Sequence, residues 1–151
     1  MSIPLPVRSA YGLSADDAEL EIQHIPSNIN ATYIVRQRRP ESAALVLQRL
    51  HTVFGAQVHV DIEAVTTHLA GKGVETPCLV RTQAGELWTT DPSTPERRVW
   101  RALTFVEGVT LHQTREPETL ESAAALLGTF QRNLADLAHV FVHERPLHDT
   151  P

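Results

Sequence analysis

At 151 residues with 42% hydrophobic and 21% charged content, the chain has the length and balance of one soluble globular domain with a sizeable core. A formal net charge of −5 argues against a nucleic-acid partner, which needs a basic field. No apolar run nears the roughly 18–20 residues that cross a bilayer, and the opening MSIPLPVRSAYGL lacks the basic head and apolar stretch of a leader, so a cytoplasmic protein with no membrane partner is the expectation.

In chain order, AELEIQHI alternates apolar and polar residues as a half-buried strand does, and ATYIVRQ resumes the pattern after the bend IPSNINA. RRPES then turns the chain into AALVLQRLH, a third β-rich run. Three short strands in close succession predict an antiparallel meander. The period changes in VDIEAVTTHLAGKG, where Ile62, Val65 and Leu69 fall three and four apart on one helical stripe. Asp61 is placed to cap the start of that helix, and Gly71 or Gly73 to end it. PCLVRTQAGELWTTD predicts a hairpin turning at QAGE. Its Cys78, the single cysteine, rules out an intrachain disulfide and reads as a small hydrophobe in a strand core.

After the breaker-rich DPSTPERR, VWRALTFVEG predicts the last strand, stopped at Gly108. Pro117 suits the first turn of a helix. Leu120, Ala123, Ala124, Leu127, Phe130, Leu134 and Leu137 then form an apolar stripe on a helix of about residues 117–138. AHVFVHERPLHDTP has no clear period and predicts a loosely held tail. The order β-β-β-α-β-β-β-α predicts an α+β fold: a curved antiparallel sheet of five or six strands, one packed helix and a long C-terminal helix.

That order is also the order of a kinase small lobe followed by its hinge and the first large-lobe helix. NINATYIV, LVLQRLHTVF, VTTHLAGKGVETPCLV, LWTTD, WRALTFVEG and LGTFQRNLADL, through to HERPLHDTP, resemble the N-terminal portion of the aminoglycoside phosphotransferase-like small-molecule kinases. Their N-acetylhexosamine 1-kinase-like branch is the nearest. The resemblance runs from about Glu19 onward. It implies a nucleotide-binding lobe and hinge over residues 1–108 and the start of a C-terminal lobe over 109–151. It further implies ATP with Mg2+ as cofactor, and a sugar or similar hydroxylated compound as phosphate acceptor.

The family's loop between the first two strands resembles GHINDTY, where glycine lets backbone N–H groups approach phosphate. The matching run here, SNINATY, has no glycine. Ser27, Asn28, Asn30 and Thr32 could donate side-chain hydrogen bonds in its place, and asparagine tolerates left-handed backbone angles. The same letters also spell an ordinary hairpin turn. Kinases hold the α and β phosphates with a lysine on the third strand, paired with a helix glutamate. The sole lysine, Lys72, falls at the end of the helix instead. Gln48 and Arg49, on opposite faces of the strand, are the alternatives. The apolar neighbours Val46, Leu47 and Leu50 leave the facing open, while charge and a forked donor set favour Arg49. Glu63 is the matching helix carboxylate, although a glutamate there also suits the helix dipole. Thr104, Phe105, Val106 and Glu107 match the hinge, where adenine bonds to backbone.

Phosphoryl transfer also requires metal ions and a residue orienting the attacking hydroxyl. The family takes these from an HGD motif, a downstream asparagine and a later aspartate, and none of these motifs occurs in the sequence. The expectation is therefore a nucleotide-binding portion, truncated before the catalytic and metal-binding motifs and inactive alone. Its apolar helical stripe would fold back on the sheet, pair with a second copy of the chain or receive a separately encoded large lobe. Two other readings stay open. One is a non-catalytic interaction module on the same scaffold. The other is a metal-binding tail built on His139 and His143, four apart, with His148 and Asp149 beyond.

Overall fold

A six-stranded antiparallel sheet organises the chain in the computed structural model, which describes residues 2–27, 29–111 and 113–143. Asn28, His148 and Asp149 lie outside the described residues. Strands β1 (Leu20–Ile25), β2 (Ala31–Gln37) and β3 (Leu45–Arg49) form the expected meander, and β6 (Val99–Thr104) pairs with β3. Two short strands, β4 (Leu79–Val80) and β5 (Thr89–Thr90), both lie along β6. Helix α1 is Leu5–Ala10, α2 is Val58–Gly71 and α3 is Pro117–Leu134. This is the expected α+β arrangement with one further helix at the start.

The register sorts side chains onto two faces, because partners across an antiparallel ladder project to the same side. Tyr33, Leu47 and Ala102 are in line on one face, as are Ala31, Arg49 and Trp100. The N-terminal segment covers that face: Ile3, Val7, Tyr11 and Leu13 join Leu20, Tyr33, Val35, Leu47, Trp100 and Ala102 in one buried cluster. Two polar ties fix the segment. The Tyr11 hydroxyl donates to the Trp100 carbonyl at 3.2 Å, and the buried Arg8 donates to the Ile3 carbonyl and meets Asp17 at 2.5 Å.

The opposite face carries Thr32, Gln48 and Arg101 in line, and α2 lies over it, with Val58 and Ile62 facing Arg101 across a cavity. As expected, α2 ends on glycine. Gly73 adopts φ +73°, which lets the Val74 N–H reach the Leu69 carbonyl at 3.0 Å.

Four local expectations are corrected. The QAGE turn forms, with Gly85 at φ +83° and the Thr82 N–H donating to the Glu86 carbonyl at 2.9 Å. Its flanking strands, however, do not make a hairpin; β4 and β5 sit end to end along β6. Cys78 is half-buried just ahead of β4, where its N–H donates to the Thr104 hydroxyl and its carbonyl accepts the Thr104 N–H, rather than filling a core. Helix α2 starts at Val58, so Asp61 does not cap it. Instead the buried Asp61 carboxylate accepts from His139 Nε2 at 2.8 Å and from the Val142 and His143 amides at 2.9 Å each. The tail expected to be loose is thereby fastened at residues 139–143, since one buried acceptor collects its donors.

Burial alone raises the Asp61 carboxyl, but the Val142 and His143 N–H groups and the His139 ring outweigh it and hold it below the usual aspartate value. A depressed carboxylate contributes stability that is present above its unfolded pKa, about 3.9, and lost as pH falls through the lower folded value. Asp61→Ala is therefore expected to melt below the native protein at neutral pH, with the gap closing in acid below about pH 4. Thermal melts across that range check it; a gap that persists unchanged in acid contradicts the latch.

Helix α3 starts at Pro117 as expected and ends at Leu134, about one turn early. None of its residues is buried, and its apolar stripe stands open, with Leu120 55%, Leu127 57% and Phe130 39% exposed. The end of α3 is tied to α2: His68 lies 2.9 Å from the Asn133 carbonyl, and Lys72 donates to that carbonyl at 2.8 Å and pairs with Asp136. Among the described residues, no helix is long and apolar enough to cross a membrane.

Candidate functional site

Gln48 lies at the centre of the polar row on the α2-covered face. Its Nε2 donates to Thr32 Oγ1 at 3.2 Å, and its Oε1 accepts from Arg101 Nε at 2.9 Å and Nη2 at 2.7 Å. Arg101 is half-buried, and that burial lowers its pKa, yet a guanidinium stays charged at neutral pH. Asn30 Oδ1 accepts the His51 N–H at 3.0 Å, tying the β1–β2 turn to the chain just past β3. Asn30 and Arg101, with Leu50, Phe54, Val58 and Ile62, line a cavity of about 200 Å³. Beside it, His59 is fully buried, its Nδ1 2.6 Å from the Ala56 carbonyl and its ring stacked on Trp88. Burial, and to a lesser degree the charge of Arg101, lower the His59 pKa, so the ring is held neutral.

The structure brings some sequence candidates together and separates others. Gln48, Thr32 and Asn30 meet at this face. Arg49, favoured on charge, lies on the other face in line with Trp100, because strand alternation sends neighbours to opposite sides. Glu63 meets Arg81 at 2.6 Å, so its ionic partner comes from the end of β4 rather than from β3. Ser27 is exposed on the turn. Among the described non-glycine residues, positive φ occurs at Glu41 and Arg97, so Asn30 serves as a side-chain acceptor and not as a left-handed turn residue. Thr104 is still strand, its N–H given to the Cys78 carbonyl at 2.9 Å. Phe105, Val106 and Glu107 follow it, with Arg36 over the Phe105 ring at 5.0 Å and 3.8 Å from Glu107.

Arg101 escaped the sequence reading. The signal available was a charged residue alternating with Trp100 and Ala102 inside an apolar strand, but its partner Gln48 lies 53 residues away. The rival histidine site loses its premise, since His139 and His143 are not on a helix and His139 is engaged by Asp61. Among the described residues, no group of three or more His, Cys, Asp or Glu side chains is placed to hold a metal ion.

No protein-family model matches the chain. Its fold does match a solved structure, amicoumacin kinase hAmiN in complex with AMP-PNP, Ca2+ and Ami, with a TM-score of 0.67 over 85% of this chain. The fold is that of a kinase small lobe. The chain spans 37% of the matched chain, at 11% sequence identity. At that identity the likeness is one of fold. It is to a small-molecule kinase and does not single out the N-acetylhexosamine branch.

Proposed function

We propose that the chain is the nucleotide-binding portion of an ATP-dependent small-molecule phosphotransferase, with residues 1–108 as lobe and hinge and 109–151 as the start of the C-terminal lobe. The observation that carries this reading is the polar row of Thr32, Gln48 and Arg101 on the helix-covered face of a kinase-like small lobe. Phosphate oxygens need donors and positive charge, and this row supplies both. Adenine would bond to backbone at Phe105, Val106 and Glu107. ATP with Mg2+ is the proposed cofactor, in keeping with the AMP-PNP and Ca2+ of the matched kinase. The donor set described here fits phosphate and does not fit the metal, which needs carboxylates from elsewhere.

A sugar acceptor of the N-acetylhexosamine type rests on the sequence resemblance. Phosphate cradling without metal ligands and a hydroxyl-orienting residue is binding, so the chain is inactive alone, and a large lobe completes it in the cytoplasm. The exposed stripe of α3 equally suits a second reading, a non-catalytic interaction module.

Thermal shift separates the two. A ligand that binds only the folded state adds stability in proportion to the logarithm of its concentration, about 2.7 kcal/mol at one hundred times Kd. MgATP and MgADP are expected to raise Tm in this concentration-dependent way. A flat Tm at millimolar nucleotide favours the interaction module.

A further inference from the structure

We infer that Arg101 supplies, from the neighbouring strand, the positive charge for phosphate that β3 does not present on this face, holding the phosphate tail of a nucleotide in the cavity beside α2. This rests on the nucleotide reading above and adds the residue that makes it electrostatically workable. A polyphosphate needs a cation, and among the described residues Arg101 is the basic side chain that lines this cavity. Lys72 pairs with Asp136, Arg81 with Glu63, and Arg49 is on the other face.

Arg101 differs from them in its surroundings. Among the described residues its hydrogen bonds go to one neutral acceptor, Gln48 Oε1, and none goes to a carboxylate. A half-buried guanidinium opposite only a neutral oxygen is poorly compensated, and an anion in the adjoining cavity removes that cost. Gln48 acts as a positioning residue. Its Nε2 is held by Thr32, which turns Oε1 toward the guanidinium and fixes the fork. With Oδ1 bound to the His51 amide, the Asn30 side chain keeps its N–H donors as the second polar group of the wall. The apolar wall of Leu50, Phe54, Val58 and Ile62 excludes water and strengthens the charge interaction. A cavity of about 200 Å³ is below the roughly 300–1,000 Å³ of a site that encloses a whole ligand, so it takes the phosphate end and leaves the nucleoside outside.

Calorimetric titration with tripolyphosphate, ATP and adenosine tests this on the native chain, Arg101→Met and Gln48→Glu. Native protein is expected to bind tripolyphosphate and ATP, and Arg101→Met to lose about tenfold or more of both affinities with adenosine binding unchanged. Gln48→Glu, which sets a carboxylate against the guanidinium, is expected to hold or raise Tm while losing the same affinities, so misfolding cannot account for the loss. Equal tripolyphosphate affinity in native protein and Arg101→Met overturns the role of Arg101, and retained ATP binding then leaves the nucleotide reading standing. Tripolyphosphate binding lost in Arg101→Met, with no response to ATP or adenosine in the native chain, keeps the anion site and overturns the nucleotide reading instead. No tripolyphosphate binding by native protein overturns the inference outright.

Discussion

Replacing Val7 with aspartate is expected to leave little folded protein. Val7 is 0% exposed and lies within the cluster that joins α1 to Tyr33, Leu47 and Trp100. A carboxylate there is either buried without a partner or forced to take up a proton, and either way the cost is several kcal/mol. The adjacent Arg8 gives no relief, because its guanidinium is already held by Asp17 and the Ile3 carbonyl. Against a typical domain stability of about 5–15 kcal/mol, one such change removes most of the margin. Val7→Ala, which removes methyl groups and adds no polar atom, is expected to cost only about 2 kcal/mol. Circular dichroism and denaturant melts of the two variants make the comparison. A Val7→Asp protein that melts cooperatively near the native Tm would place α1 outside the core and leave the sheet face beneath it unexplained.

That α1 matters so much was hidden in the sequence for a physical reason. Its six residues, LPVRSA, are too few for a helical period to repeat, and Pro4 and Pro6 read as breakers until they are seen to open the helix. Longer patterns were legible. The alternation of β1 and β2 and the glycine stop of α2 place those elements, and they suffice for the α+β class. Pairing was not legible. Alternation locates β4 and β5 but cannot say that each joins β6 and not the other.

The candidate site divides along the same line. Thr32, Asn30 and Gln48 are close in sequence to elements that can be placed, whereas Arg101 gains its role only through the β3–β6 register. Facing was ambiguous on β3 because the strand is packed from both sides, Leu47 by the N-terminal cluster and Gln48 by the side that α2 covers, so apolar flanks carry no directional information. Asp61 looked like a helix cap on spacing alone; burial and the returning tail made it an anchor.

Trp100→Ala is expected to cost about 3–5 kcal/mol, and Trp100→Phe far less than its lost area suggests. The indole is 2% exposed and stacks near Tyr33, with ring centroids 5.9 Å apart, yet its Nε1 has no hydrogen-bond partner among the described residues. A buried unpaired donor costs about 1–3 kcal/mol. Phenylalanine removes that donor and keeps most of the stacking surface, so the two effects oppose each other. Alanine forfeits the packing and leaves a cavity under α1. Denaturant midpoints at constant m-value measure both costs, and equal losses for the two variants would mean that ring packing contributes nothing there. The consequence reaches the other side of the sheet. Trp100 and Arg101 are consecutive on β6, one locking the strand onto the N-terminal cluster and the other pointing to the cavity. Trp100→Phe is therefore expected to keep the polyphosphate response of the native chain. Trp100→Ala, with the strand no longer anchored from behind, is expected to weaken it even at temperatures where the protein is still folded.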